Sequence, residues 1–226
     1  MRYDVLLIDV DDTLLNFKEA EVYALNRLFE QEGIVLTEEI QQDFTAHNHA
    51  LWGALEKNLL TREEVLAGRF DYIFKKYGQG QDGKQMDRYF RQFLSDKPFL
   101  MPGVAEVLPQ LAANYDLYVV TNGVEKTQYQ RLERADLLSY FNQLFVSETI
   151  GYQKPDRRFF DEVFAKIPTV EKEKVLIIGD SLSADMQGGI QAGIDTCWYN
   201  PRKLENQTVA TTYTIHSFEE LKSFLN

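Results

Sequence analysis

Asp9, Asp11 and Asp12 place three carboxylates within four residues, directly after the apolar run Val5-Leu6-Leu7-Ile8. Such neighbours repel, and either a cation or a proton on one of them must relieve the repulsion. Other residues able to do chemistry stand at the ends of three further apolar runs. Thr121 and Asn122 close LYVVTNG at 117–123, Lys154 lies in the loop after QLFVSE at 143–148, and Asp180 and Asp185 follow from KVLIIGDS at 174–181. Carboxylate oxygens from separate loops, with no His or Cys partner, suit a hard divalent cation that keeps several waters, with Mg²⁺ the default. An EF-hand calcium loop starting at Asp9 fails, because it needs Gly and Glu where the chain has Leu14 and Ala20.

The four apolar runs must do the positioning. Continuous Val/Ile/Leu runs of this length suit strands buried on both faces. Between them, residues 104–114, 125–138, 156–167 and 183–192 have helical spacing or composition. Strand and helix in alternation predict an α/β core with a parallel sheet, whose ligands lie beyond the carboxyl ends of the strands. Gly188, Gly189, Ala192 and Gly193 let the last helix sit close to that sheet. Residues 16–95 break the alternation and read as helix after helix: Lys18 to Glu32 stopped by Gly33, Glu38 to Lys57, a third opened by the capping-box tetrad Thr61-Arg62-Glu63-Glu64, and a short one from Lys84 to Leu94. The expected organisation is a core of residues 1–15 and 96–226, interrupted after its first strand by an all-helical domain of residues 16–95.

Composition narrows the function classes. The 226 residues carry 35 acidic and 24 basic side chains, a formal charge of −11 that repels nucleic acid and anionic membrane. A small anionic substrate then needs its own focused positive site, from a metal ion or a lysine. One cysteine, Cys197, cannot form an internal disulfide and reads as a small buried hydrophobe in a reducing, cytoplasmic setting. Only four apolar residues precede Asp9, too few for a signal-peptide core, and no run approaches the ~18 apolar residues of a membrane span. His47 and His49, two apart on a helix, face different sides and do not form a joint metal site. Trp52, Phe17, Phe44 and Tyr72 in the helical insert read first as core.

Taken in order, Asp9-x-Asp11-x-Thr13, Thr121, Lys154-Pro155 and Gly179-Asp180-Ser181-x-x-x-Asp185 resemble the four motifs of the haloacid dehalogenase superfamily of aspartate-nucleophile phosphohydrolases. The resemblance covers essentially the whole chain, because the helical insert resembles that family's C1 cap. One departure is Asp12, where many relatives have glycine. The resemblance implies a Rossmann-like three-layer core and a Mg²⁺-dependent phosphomonoester hydrolase working through an aspartyl-phosphate. Within it, Asp9 is the nucleophile and Asp11 the acid and base, with Asp9, Asp180 and the backbone carbonyl of Asp11 as metal ligands. Thr121, the amide of Asn122 and Lys154 bind the phosphoryl oxygens. Asp185 orients Lys154 or a metal-bound water, and Thr13 closes the first loop by a hydrogen bond to backbone.

The opening IDVDDTLLNF and the tail from Gly179 to Pro201 are similar to the branch of C1-capped 5′-nucleotidases that act on pyrimidine and noncanonical nucleoside monophosphates. A sugar-phosphate or phosphoglycolate phosphatase is the alternative substrate class. A 2-haloacid dehalogenase lacks the second acid that Asp11 provides, a phosphonatase needs a Schiff-base lysine in its cap, and a phosphomutase differs in cap residues. A phospho-accepting signalling receiver also uses Asp pairs, Mg²⁺, Thr and Lys on a parallel sheet. In that fold the lysine comes last, whereas here Asp180 follows Lys154.

Overall fold

The computed structural model describes residues 2–168, 171–205 and 208–225. It divides into two compact units, one formed by the chain up to Phe17 together with the chain from Pro98 onward, the other by Lys18–Lys97.

The larger unit is built on six parallel strands, β1 (Val5–Ile8), β2 (Asp116–Thr121), β3 (Gln143–Val146), β4 (Val175–Gly179), β5 (Asp195–Tyr199) and β6 (Tyr213–Ile215). Their spatial order is β3-β2-β1-β4-β5-β6. All four residues of β1 and all five of β4 are buried, which is why they read as unbroken apolar runs and not as alternating ones. Successive side chains go to opposite faces. Leu6, Ile8, Val119 and Ile178 pack with Val104, Leu108, Leu132 and Phe218 on one side, and Val5, Leu7, Val120 and Ile177 pack with Phe159, Phe160 and Met186 on the other. Helices therefore cover both faces, making three layers. Strands β5 and β6 extend the sheet beyond the four expected.

The α-helices among the described residues are α1 (Phe17–Gln31), α2 (Glu38–Glu56), α3 (Arg62–Tyr77), α4 (Gly83–Leu94), α5 (Val104–Ala112), α6 (Glu125–Arg134), α7 (Ser147–Ile150), α8 (Arg157–Lys166) and α9 (Gln187–Ala192). The expected helix over 183–192 starts instead as a π-helical turn, Leu182–Met186, before α9. The wider turn shows in its hydrogen bond, Met186 N–H donating to Ser181 O at 3.1 Å across five residues, and Ser181 caps it, its Oγ accepting from Ala184 N at 3.0 Å and its own N–H donating to Asp185 Oδ2 at 3.1 Å. An added Cβ would lie 2.6 Å from Phe160 at Gly188 and 2.6 Å from Ile177 at Gly189, so both glycines allow close helix packing. Gly193 has open space but φ +77°, and ends α9 in the left-handed conformation. Where the chain leaves and re-enters this unit, the two segments pair: Asn16 N–H donates to Phe99 O at 2.8 Å and Met101 N–H to Leu14 O at 3.0 Å.

The helical unit closes around Phe29, Phe44, Phe70, Phe74 and Phe90, all buried. The capping box forms as read: Thr61 Oγ1 accepts from Glu64 N, and Glu64 Oε2 accepts from Thr61 N at 2.7 Å. A buried polar chain crosses the unit. Glu21 accepts from Thr45 and Asn48, Asn48 from Arg69, and Asp87 from both Arg69 (2.6 Å) and Arg91 (2.7 Å). Such a network fixes helix register because any slip leaves a buried charge unpaired. Phe44 is core, as expected, while Phe17 belongs to the sheet unit. His47 stacks on Tyr72 with ring centroids 4.1 Å apart, and the Tyr72 hydroxyl donates to Asp43. Among the described residues no helix is long and apolar enough to cross a membrane.

Candidate active site

The strand order reverses between β1 and β4, so the loops after those two strands diverge and open a crevice at the carboxyl edge. Asp9 and Asp180 are the residues that follow these strands. Lys154, in the loop after β3 and α7, reaches into the same place. Its Nζ donates to Asp9 Oδ1 at 2.8 Å, Asp185 Oδ1 at 2.6 Å and Val120 O at 2.7 Å, using all three ammonium hydrogens. Two backbone-to-side-chain bonds hold that loop: Asn122 Nδ2 donates to Lys154 O and Lys154 N donates to Asn122 Oδ1, each at 2.9 Å. The Asn122 side chain makes this clasp, whereas the motif resemblance points only to its backbone amide. Asp185 can approach so closely because Gly179 has no Cβ; one would meet Asp185 Oδ2 at 2.2 Å.

A second group of contacts centres on Asp11. Gln128 Nε2 donates to Asp11 Oδ2 at 2.7 Å and to Thr121 Oγ1 at 3.0 Å, while Arg131 Nη1 donates to Asp11 Oδ1 and, at 2.9 Å, to Gln128 Oε1. Gln128 and Arg131 lie on α6, whose sequence EKTQYQRLER is mostly polar, and both are nevertheless buried. Their spacing of three was the available signal, since it puts them on one face with the buried Leu132. Asp12 has φ +56° and caps the next element, its Oδ1 accepting from Phe17 N at 3.0 Å. A position needing positive φ takes glycine most readily and Asp or Asn next, which accounts for the departure from the DxDGT pattern. Thr13 differs from expectation: its backbone N–H reaches Val10 O at 3.4 Å, but its buried hydroxyl has no hydrogen-bond partner among the described residues.

The electrostatics of this edge follow from burying carboxylates together. Burial raises Asp9 to about 7, with Lys154 opposing the rise and Asp185 and Asp11 adding to it. Burial and then the neighbouring Asp9 and Asp185 hold Asp180 well above the usual carboxylate range. For Lys154, burial works against the charge, but Asp185 and Asp9 outweigh it and the ammonium is held above its ordinary value. One carboxylate oxygen each from Asp9, Asp180 and Asp185 lie within 4.8 Å of one another. Oxygen donors that resist ionising on their own are what a hard divalent cation would stabilise, so the donor set fits Mg²⁺. Asp185 already accepts from Lys154 and from Ser181 N, which leaves Asp9 and Asp180 as the better-placed pair.

Comparison with known proteins follows the same lines. The chain is 44% identical, over its full length, to YfnB of Bacillus subtilis, whose crystal structure, bound to magnesium and revealing interdomain movement, superposes with a TM-score of 0.94 over 100% of both chains. It is 40% identical to the pyrimidine 5′-nucleotidase PynA of Streptococcus pneumoniae, covering 100% of this chain and 96% of that one. The pyrimidine 5′-nucleotidase YjjG of Escherichia coli is 31% identical over 100% of this chain and 99% of its own. Residues 6–199 match the model of the haloacid dehalogenase-like hydrolases, and the chain belongs to that family.

Proposed function

We propose that the chain is a Mg²⁺-dependent phosphomonoester hydrolase that removes the phosphate from pyrimidine nucleoside 5′-monophosphates. The observation that carries the chemistry is Asp9, a buried carboxylate held 2.8 Å from Lys154 Nζ at the sheet edge where Asp180 follows β4 and Thr121 ends β2. The substrate class rests on the full-length likeness to the two nucleotidases.

In the first step an Asp9 oxygen attacks phosphorus, the bond from phosphorus to the ester oxygen breaks, and the departing oxygen takes a proton from Asp11. This divides one difficult displacement into two easier ones. In the second step Asp11 removes a proton from a water whose oxygen attacks the aspartyl-phosphate; the bond from Asp9 to phosphorus breaks, giving orthophosphate and restoring both residues. Acid and base help of this kind is worth about 10²- to 10⁴-fold. Thr121 Oγ1 already accepts from Gly123 N (3.1 Å) and Gln128 Nε2, so its own hydrogen is left to donate to a phosphoryl oxygen. Lys154, its hydrogens committed to protein oxygens, contributes chiefly its charge, which offsets that of Asp9 and of the phosphoryl group. Asp9, Asp180 and the Asp11 carbonyl would hold Mg²⁺, which supplies charge neutralisation for the nucleophile and the phosphate.

The test is a phosphate-release panel with Mg²⁺, comparing pyrimidine and purine 5′-monophosphates, phosphoglycolate and hexose phosphates. The expected order has the pyrimidine nucleotides first, with activity lost in Asp9→Asn. Preference for sugar phosphates over every nucleotide would refute the substrate class, and a near-normal Asp9→Asn would refute the nucleophile.

A further inference from the structure

We infer that Gln128 and Arg131 are positioning residues that aim the Asp11 carboxylate at the leaving oxygen, an inference that rests on the phosphohydrolase reading above. The two side chains take one carboxylate oxygen each, Gln128 Nε2 on Oδ2 and Arg131 Nη1 on Oδ1, and they are bonded to one another through Gln128 Oε1. A carboxylate gripped at both oxygens by two linked donors loses rotation about its last side-chain bond. Both donors come from one helix, α6, and while the Arg131 side chain is 4% exposed that of Asp11 is 32% exposed. A carboxylate has about four acceptor directions, and two serve to anchor it while the open side is left for a reacting oxygen.

A buried arginine needs a counter-charge, and an ordinary structural ion pair would satisfy that need. Two features exceed what such a pair requires. The same Gln128 nitrogen bridges Asp11 to Thr121, joining the residue proposed to move the proton to the hydroxyl proposed to hold the phosphate. The bridge also occupies space that only glycine leaves: a Cβ on Gly123 would lie 2.5 Å from Gln128 Nε2. The Arg131 guanidinium also lies over the Phe17 ring, its central carbon 5.6 Å from the ring centroid. The acid and the phosphate donor are thereby fixed in relation to each other by one amide. Misplacement of a reacting group by an ångström can cost on the order of 10²-fold in rate.

The test separates positioning of an acid from support of the fold by changing the leaving group. kcat/KM reports events up to expulsion of the alcohol, the step in which Asp11 gives its proton. A nucleoside 5′-monophosphate expels an alkoxide that needs that proton, whereas p-nitrophenyl phosphate expels a stable phenolate that does not. Gln128→Met, Arg131→Met and Gly123→Ala are each measured with both esters, alongside thermal melting. A Cβ on Gly123 would also meet Gln128 Cδ at 2.8 Å and Cγ at 2.9 Å, so Gly123→Ala displaces the Gln128 side chain from Cγ outward, and the melting temperature reads what that costs the fold. For Arg131→Met, which removes a contact to Asp11 and none to Thr121, the expected result is a loss of about 10- to 100-fold in kcat/KM for the nucleotide and under about threefold for the aryl ester, with partial recovery of the nucleotide reaction in Arg131→Lys. Gln128→Met and Gly123→Ala, which also disturb Thr121, should lose activity with both esters and more with the nucleotide. Equal losses with the two esters would overturn the inference, as would no loss with either. A parent enzyme inactive toward both esters would overturn the phosphohydrolase reading itself, and this inference with it.

Discussion

Asp9 and Asp180 are held as carboxylates that resist giving up their protons, and this couples metal, pH and stability. Asp9 sits at about 7 against an ordinary value of 3.8. Between those two values the folded chain binds more protons than the unfolded one, so ionisation counts against the fold. The Asp9 contribution to stability without metal is therefore most favourable below the lower value, declines as pH rises through the window, and levels off above about 7. Asp180, raised in the same direction, adds to the decline. A divalent cation held by these two carboxylates, as proposed, would have to displace their protons, and its binding would grow stronger over the same interval. Thermal melts at pH 5 and pH 8 should show a larger gain from added Mg²⁺ at the higher pH, and a lower metal-free melting temperature there. An equal gain at both values would mean that the two carboxylates do not hold the cation.

At the scale of elements, the approach of α9 to the sheet makes a sharper demand than its composition suggests. A Cβ on Gly189 would sit 2.6 Å from Ile177 Cγ2 and 2.7 Å from Thr196 Cγ2, two β-branched side chains on neighbouring strands with little room to turn. Gly189→Ala should destabilise by about 1–3 kcal/mol. Gly53, inside α2 with nothing within 4 Å, is the control: Gly53→Ala should stabilise by about 0.5–1 kcal/mol through helix propensity. Urea unfolding of the pair measures both, and a Gly189→Ala as stable as the parent would show that the helix can move outward freely. The close packing was legible in the run of small residues, and so were the first four strands, because each is an apolar run ending in a polar residue. Strand β5 was harder to read. Its DTCWY looks like the end of a motif and lacks the Val/Ile/Leu run, and β6 has only three residues, with one of them buried. The inward face of α6 was hidden for another reason. Gln128 and Arg131 are buried by contacts with Asp11, far away in sequence, and periodicity within a helix does not reveal a polar partner outside it. Loop residues that end strands announce themselves; side chains that reach those loops from a polar helix do not.

For the whole molecule, the excess of acidic residues sets up a conflict between binding site and surface. The formal charge of −11 repels a phosphate dianion at long range, while Lys154 and a cation held by Asp9 and Asp180 would attract it at short range. The two effects respond differently to salt. Surface charges farther apart than the Debye length, about 8 Å at 0.15 M and about 30 Å at 0.01 M, are screened, whereas the contact between a buried lysine and a bound phosphate is screened far less. Added salt thus removes the repulsion first. At constant free Mg²⁺, raising monovalent salt from about 0.01 M to about 0.15 M should increase kcat/KM for a nucleoside monophosphate by about two- to fivefold, with kcat little changed. The change belongs in KM because the repulsion acts on encounter, before the phosphate reaches Thr121. A neutral analogue, the nucleoside tested as a competitive inhibitor, should show no such dependence, since it carries no charge for the surface to repel. If kcat/KM fell with salt instead, the local positive field would reach beyond the crevice and dominate the approach, and the acidic surface would have no part in substrate capture.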